Sequence, residues 1–177
     1  MKYLKAFLLV LVICCSCKKV ITNDINIQAD KIIKEERVTY QLHKYELDKL
    51  KIHSLKIIKT DTTLIYNYVN SIDGKYNIDF EFSEKEKELL FYNGERFHII
   101  DSSFVFVDKR ISEDPFYFFW QENGKSHQSR PILFNEKYGL LGVFNSYGPE
   151  LIILKHKTED FDLITKIKNA MGDFAPK

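Results

Sequence analysis

Five histidines (His43, His53, His98, His127 and His156), three cysteines (Cys14, Cys15 and Cys17) and 25 carboxylates are the side chains of this 177-residue chain with the chemistry to bind a metal or drive catalysis. The histidines are scattered without the short spacing of a metal site, and no cysteine stands near one to complete a tetrahedral set. They read as surface or half-exposed strand residues, and no metal or cofactor is expected. His98, Asp101 and Ser102 bring the residue types of a hydrolytic triad together, but no G-x-S-x-G or equivalent supplies the strained nucleophile turn and oxyanion hole. Asp79 and Glu81 would stand about 7 Å apart on one strand face, near the separation of glycosidase carboxylates. They alternate with the apolar Ile78, Phe80 and Phe82, which puts them on a solvated face. No Gly-rich phosphate loop is present. No catalytic residue is assigned, and the chain is not expected to be an enzyme.

The cysteines close an N-terminal leader. Lys2 and Lys5 precede an uninterrupted apolar run over residues 6–15, followed by the small Ser16 and the polar Cys17, Lys18 and Lys19. A positive start, an apolar stretch of about 7 to 15 residues and a small residue at the cut make a secretory signal peptide. A membrane span needs about 20 apolar residues, and a core helix needs a polar face to meet solvent; the run has neither. The junction offers a thiol, whose thiolate is the best nucleophile among small side chains at neutral pH. This arrangement resembles the lipobox of bacterial lipoproteins, in which a small residue precedes a cysteine whose sulfur receives a diacylglycerol before the signal peptidase cuts. Ser16 and Cys17 fit its last two positions, and Cys14 stands where the family usually has Leu; Cys15 is the alternative acceptor. The resemblance implies a signal peptide over residues 1–16 and a lipidated Cys17 opening a short tether over 17–27. It implies attachment to the cell envelope through the acyl chains, palmitate among them, with the periplasmic face of the outer membrane preferred over the cell surface and the leaflet left open. It is silent on the domain that follows, residues 28–177.

With no cysteine beyond Cys17, that domain has no disulfide framework and must rely on a hydrophobic core. A chain of about 160 residues can bury close to 70% of its unfolded surface, enough for one domain. Aromatic residues reach 14%, which favours strands, and only 7 Gly and 4 Pro argue against a disordered chain. Losing Lys2 and Lys5 with the leader leaves the 26 basic residues two fewer against 25 acidic ones. A net charge near −1 gives no footprint for nucleic acid.

The elements follow from periodicity. Residues 29–36 (ADKIIKEE) are helix formers and predict a short helix, while Val38, Tyr40 and Leu42 alternate as in a strand. Period two then runs through residues 52–59, 64–69, 75–82, 89–92, 96–100, 104–107, 116–120, 132–134, 140–144 and 151–154. Asp73-Gly74, Asn93-Gly94 and Asn123-Gly124 predict tight type I′ turns. Short connections mean antiparallel neighbours. The expected fold is mainly β: an antiparallel meander of about eight or nine strands, open to curling into a barrel. Phe161, Ile164, Ile167, Met171 and Phe174 form one helical stripe, with Thr158 as its cap and Gly172 as its end. That helix should cover the sheet.

One stretch remains as a candidate surface. Phe116, Tyr117, Phe118, Phe119 and Trp120 are apolar on both faces of a strand, as in a central strand covered on both sides, or as in the lining of a ligand site. Two function classes result. One is a non-catalytic binding or assembly module, monomeric and tethered near the membrane, meeting an envelope protein. The other is a lipocalin-like carrier whose curled sheet encloses an apolar ligand against residues 116–120. A hydrolase is the third alternative.

Overall fold

The computed structural model describes residues 31–43, 46–99, 101–121, 131–144 and 150–173. The leader, Cys15, Cys17, the tether, the turn at Asn123-Gly124, the loop at 145–149 and Phe174 lie outside the described residues.

Eleven antiparallel strands form one sheet. In chain order they are β1 (Lys31–His43), β2 (Glu46–Lys59), β3 (Thr63–Asn70), β4 (Ile78–Ser83), β5 (Glu88–Phe91), β6 (Arg96–Ile99), β7 (Val105–Phe106), β8 (Phe116–Gln121), β9 (Ile132–Asn135), β10 (Gly139–Val143) and β11 (Glu150–Leu154). Helix α1 spans Phe161–Asp173. Consecutive strands pair with one another except β6 and β7; β11 returns to β1, and β6 pairs with the second half of β8. The sheet is therefore a closed, ten-stranded up-and-down barrel, with β7 attached outside the ring to the first half of β8. Closure gives each of the ten strands a partner on both sides, although β11 covers β1 only over residues 38–42. Register shifts in β1 between Thr39 and Gln41, and in β10 between Leu140 and Gly142, flank β11 and add the local bend that closing requires.

The expected helix over 29–36 is a strand from Lys31 onward. Helix propensities differ by only a few tenths of a kcal/mol per residue, and pairing of residues 31–39 with 51–59 along the β1–β2 hairpin overrides them. The sheet has eleven strands rather than eight or nine because each of the ten period-two runs, and the alternation at Val38, Tyr40 and Leu42, forms a strand of its own.

Two apolar clusters result from the alternation. Inside the barrel lie Leu55, Ile57, Leu64, Tyr66, Tyr68, Phe80, Phe82, Leu89, Phe97, Phe119, Ile132, Phe134, Leu140 and Ile153. Outside it, Val38, Tyr40, Leu42, Phe116, Phe118, Leu133, Leu141, Ile152 and Leu154 meet Leu163, Ile164, Ile167 and Met171 of α1. Burying each such aliphatic side chain contributes about 1.5–3 kcal/mol. The helix lies close because Gly142 has no side chain: a Cβ there would stand 2.5 Å from Met171 Sδ. The helix cap is Asp160, whose Oδ1 accepts from the Leu163 amide at 3.0 Å, while Thr158 Oγ1 accepts from the Asp160 amide. Phe161, expected in the buried stripe, is exposed in the first turn, and the helix runs past Gly172 to Asp173. Asp108, between β7 and β8, pins the helix from its side. It accepts from Lys166 Nζ at 2.9 Å and from Arg110, which also reaches Asp160. The Arg110 guanidinium, with Lys166 beside it, holds the Asp108 carboxyl well below the usual carboxylate range.

Asp73-Gly74 does not make a tight hairpin. Asp73 caps a 3₁₀ turn over Gly74–Tyr76, its side chain accepting from the Lys75 amide, and β4 begins only at Ile78. At Asn93-Gly94 only the glycine adopts positive φ, at 88°. The Gly94 amide bonds Phe91 O and the Phe91 amide bonds Glu95 O, which is the three-residue hairpin loop with a left-handed third residue.

Candidate functional site

The barrel has two ends, each with a recess of its own character. At the end where β1 begins, the β4–β5 and β9–β10 turns and the starts of β7 and β8 surround a recess of about 400 Å³. Phe82, Ile99, Tyr117, Phe119 and Phe134 form its floor, delivered by the inward positions of β4, β6, β8 and β9. Its rim carries four charges in two pairs: Lys87 Nζ to Glu136 Oε1 and Lys137 Nζ to Asp114 Oδ2, both 2.9 Å. Lys87 is set in place by a left-handed backbone (φ 52°) that ends the β4–β5 turn. Asn135 is fully engaged, donating to Pro115 O at 2.7 Å and accepting from the Lys137 and Tyr138 amides. The rim therefore offers no net charge and the floor no polar group except the Tyr117 hydroxyl.

The aromatic stretch 116–120 is divided by strand alternation. Tyr117 and Phe119 line this recess, Phe116 and Phe118 are buried under α1, and Trp120 is half-buried beside His98 on the neighbouring strand.

At the opposite end a smaller recess of about 220 Å³ is lined by Thr39, Gln41, Lys51, His53, Lys75, Tyr76, Asn77, Ile78 and Leu151. Cross-strand pairing places Thr39 opposite Lys51 and Arg37 opposite His53, so the polar positions of β1 and β2 face inward. His53 is 2% exposed; its Nε2 is 3.0 Å from Tyr76 O and its Nδ1 3.0 Å from Thr39 Oγ1. A carbonyl only accepts, so Nε2 carries the proton and the Thr39 hydroxyl donates to Nδ1. Burial, and after it Lys51, pushes the imidazole pKa down against the opposing Tyr76 bond. Lys51 Nζ donates to Gln41 Oε1 at 3.2 Å and sits 3.2 Å above the Tyr76 ring.

Packed aromatics separate the two recesses. Tyr66 and Phe80 stack at 4.8 Å, Phe91 stacks on Phe80 at 5.0 Å, and Phe134 meets Tyr66 and Phe80 edge-on. Tyr66 and Tyr68 span the lumen from β3: the Tyr66 hydroxyl donates to Glu136 O at 2.5 Å, and the Tyr68 hydroxyl accepts from the Leu140 amide at 2.8 Å. Burial pushes both phenols far above their usual range, so they remain neutral. Where β11 stops and leaves β1 unpaired, the buried Arg37 fills the seam. It donates to Tyr138 O at 2.9 Å and to Glu35 at 2.6 Å and lies 4.9 Å from the centre of the Tyr138 ring. Burial alone would raise the Glu35 carboxyl, but Arg37 and then Lys155 hold it below its usual value.

The remaining chemical candidates do not converge. Asp101 accepts from the Ser103 amide and hydroxyl, while His98 lies 3.3 Å from Glu88 on β5. Asp79 accepts from Asn67. Among the described residues no three His, Asp or Glu gather within reach of one metal ion, and no helix is long and apolar enough to cross a membrane. Reading the sequence alone missed the polar recess entirely; the one signal was the alternation of Thr39 and Gln41 with Val38, Tyr40 and Leu42. Comparison of the chain with protein-family models, with curated proteins and with solved structures finds no match.

Proposed function

We infer that this is a lipid-anchored envelope protein whose barrel binds a small, uncharged, apolar ligand in the recess floored by Tyr117, Phe119 and Phe134. The observation that carries this is the pairing of an apolar floor with a rim whose charges cancel, in a volume of about 400 Å³. Ligand pockets commonly hold about 300–1,000 Å³ and are lined by aromatic and aliphatic groups. The filled lumen below it limits the ligand to the mouth rather than the length of the barrel. Orientation supports the same reading. β1 starts at Lys31, opposite Lys59, and Lys59 bonds Glu84 in the turn that also carries Lys87 of the rim. A lipid on Cys17, 14 residues earlier, would hold this end within about 50 Å of the bilayer at the maximal reach of the chain.

The test is fluorescence enhancement of N-phenyl-1-naphthylamine, a small neutral apolar probe, by the purified chain. Saturable enhancement is expected, and Tyr117→Glu, which puts a charge into the recess, should abolish it; equal enhancement by both proteins rejects the site. Attachment is tested separately: Cys17→Ala should lose lipid labelling and leave the membrane fraction, whereas the same result from Cys15→Ala alone would move the anchor. A second reading, an assembly module, is favoured by β7. It pairs with β8 alone among the described residues, and Phe104, Val105 and Val107 beside it are 56%, 39% and 48% exposed. An unprotected strand edge with apolar neighbours invites a partner strand. Cross-links from intact cells that map to residues 104–107 would select this reading.

A further inference from the structure

We propose that the second recess, between β1, β2 and the 3₁₀ turn, is a binding site for a small oxyanion, a phosphate or carboxylate group, with Lys51 as its principal ligand. The proposal stands apart from the apolar ligand at the other end. Its basis is the composition of the wall. Nine of the described residues line the recess, among them two lysines and a histidine, and none of these nine is an acid. Lys75 at the rim is already matched by Asp73, whose carboxylate lies 2.7 Å from its ammonium. Lys51 is different: it forms no ion pair among the described residues, its direct partners are the neutral Gln41 amide and the face of Tyr76, and Asp73, which feels its charge from a distance, is bonded to Lys75 instead.

An ammonium carries three donors, and one bond to Gln41 with one contact to a ring leaves capacity for a further acceptor. The other polar groups point to the same sign of ligand. Gln41 Oε1 accepts from Lys51 and Asn77 Oδ1 accepts from the Asn70 amide, so each oxygen is engaged with the protein and each side chain keeps an NH2 group able to donate. His53 is held neutral, its N–H on Tyr76 O and its second nitrogen accepting from Thr39. A positive charge set in a concave, poorly solvated wall attracts an anion more strongly than one on an open surface. The volume of about 220 Å³ equals roughly seven water molecules at ~30 Å³ each, which suits a phosphate or a short carboxylic acid with residual water and excludes a long-chain ligand.

The experiment is a titration of the full chain with inorganic phosphate, and separately with acetate, at constant ionic strength in chloride. The readout is the Thr39, Lys51 and Tyr76 amide resonances and the His53 ring nitrogens by NMR. Saturable shifts confined to these residues are expected, with the His53 pKa rising when the anion is bound. Gln41→Glu places an internal carboxylate beside Lys51 and should weaken binding at least tenfold in a folded protein. Lys51→Met should do the same, and Lys75→Met should cost only two- to threefold because Asp73 already neutralises it. Shifts that grow linearly without saturating, or an unchanged affinity in Gln41→Glu, overturn the proposal. Saturation by phosphate but not acetate, or the reverse, identifies which oxyanion the site takes.

Discussion

The two ends of the barrel obey one rule, alternate residues facing inward, and arrive at opposite chemistry. At the first, the inward positions are Phe82, Ile99, Tyr117, Phe119 and Phe134; at the second they are Thr39, Gln41, Lys51 and His53. The apolar end needs only shape and excluded water. The polar end needs its fully buried His53 matched at both ring nitrogens, because a buried donor or acceptor left without a partner costs about 1–3 kcal/mol. That requirement accounts for the chain Thr39 to His53 to the Tyr76 carbonyl, and for the 3₁₀ turn that presents this carbonyl. Specificity at the apolar end must come from size, and at the polar end from charge.

The aromatic wall between the recesses keeps their chemistries apart. Phe80 is its centre, lying on β4 between Ile78, which lines the polar recess, and Phe82, which lines the apolar one. Phe80→Ala should cost about 3–5 kcal/mol in urea unfolding. It should also join the recesses, so that phosphate perturbs the fluorescence of a probe bound at the apolar end; independent binding in this variant would mean that Phe80 does not separate them. Gly139→Ala attacks the same wall from β10. Gly139 has φ 90°, and a Cβ would collide with the Tyr68 hydroxyl. The left-handed backbone costs a non-glycine residue about 1–2 kcal/mol, and displacing Tyr68 from the Leu140 amide adds about 1 kcal/mol. A loss of about 2–3 kcal/mol is expected, and a melting temperature equal to that of the parent would show that Tyr68 moves aside freely.

How far these ends could be read from the sequence differs for the same reason. The apolar floor was half legible: the run over residues 116–120 announced a strand covered on both faces, and Phe80 and Phe82 alternated cleanly with charged residues. Ile99 and Phe134 belong to the floor only through long-range pairing. The polar end was illegible because its strands are inverted. In β1 the apolar Val38, Tyr40 and Leu42 face outward beneath α1, and the polar Thr39 and Gln41 face the lumen. Alternation shows that a strand has two faces, but a helix covering the outside makes both of them buried. The helix stripe was readable in Ile164, Ile167 and Met171 and misjudged at Phe161, since the true cap at Asp160 leaves that residue in the exposed first turn.

A pH dependence separates the two ends without any ligand. His53 is buried at the polar end with its pKa below the ordinary 6.5, through burial first and Lys51 second. Of the other cations near it, Arg37 on the facing strand is matched by Glu35, and Lys75 by Asp73. The folded state therefore takes up a proton less readily than the unfolded chain. Its contribution to stability is present in full above pH 6.5 and is lost as pH falls from 6.5 toward the folded pKa. Urea midpoints should drop between pH 7.5 and 5.5 in the parent and drop less in His53→Gln, whose amide can still donate to Tyr76 O and accept from Thr39. Identical pH slopes in the two proteins would mean His53 is not held neutral in the fold. Probe binding at the apolar end should not follow this titration.

The smallest perturbation turns one end toward the character of the other. Asp114→Asn removes the carboxylate that pairs with Lys137 at the apolar rim and leaves that lysine protonated at neutral pH, even though Asp114 no longer raises its pKa. The pair is solvent-exposed, so its loss should leave the melting temperature unchanged. What should change is selectivity, because the rim then carries a net positive charge over an apolar floor. The ratio of affinities for cis-parinaric acid, which bears a carboxylate on an apolar chain, and for the neutral N-phenyl-1-naphthylamine should rise several-fold at low salt and return toward the parent ratio at high salt, where exposed charges are screened. A ratio that stays constant while both probes still bind would show that the paired rim charges do not set the preference for an uncharged ligand.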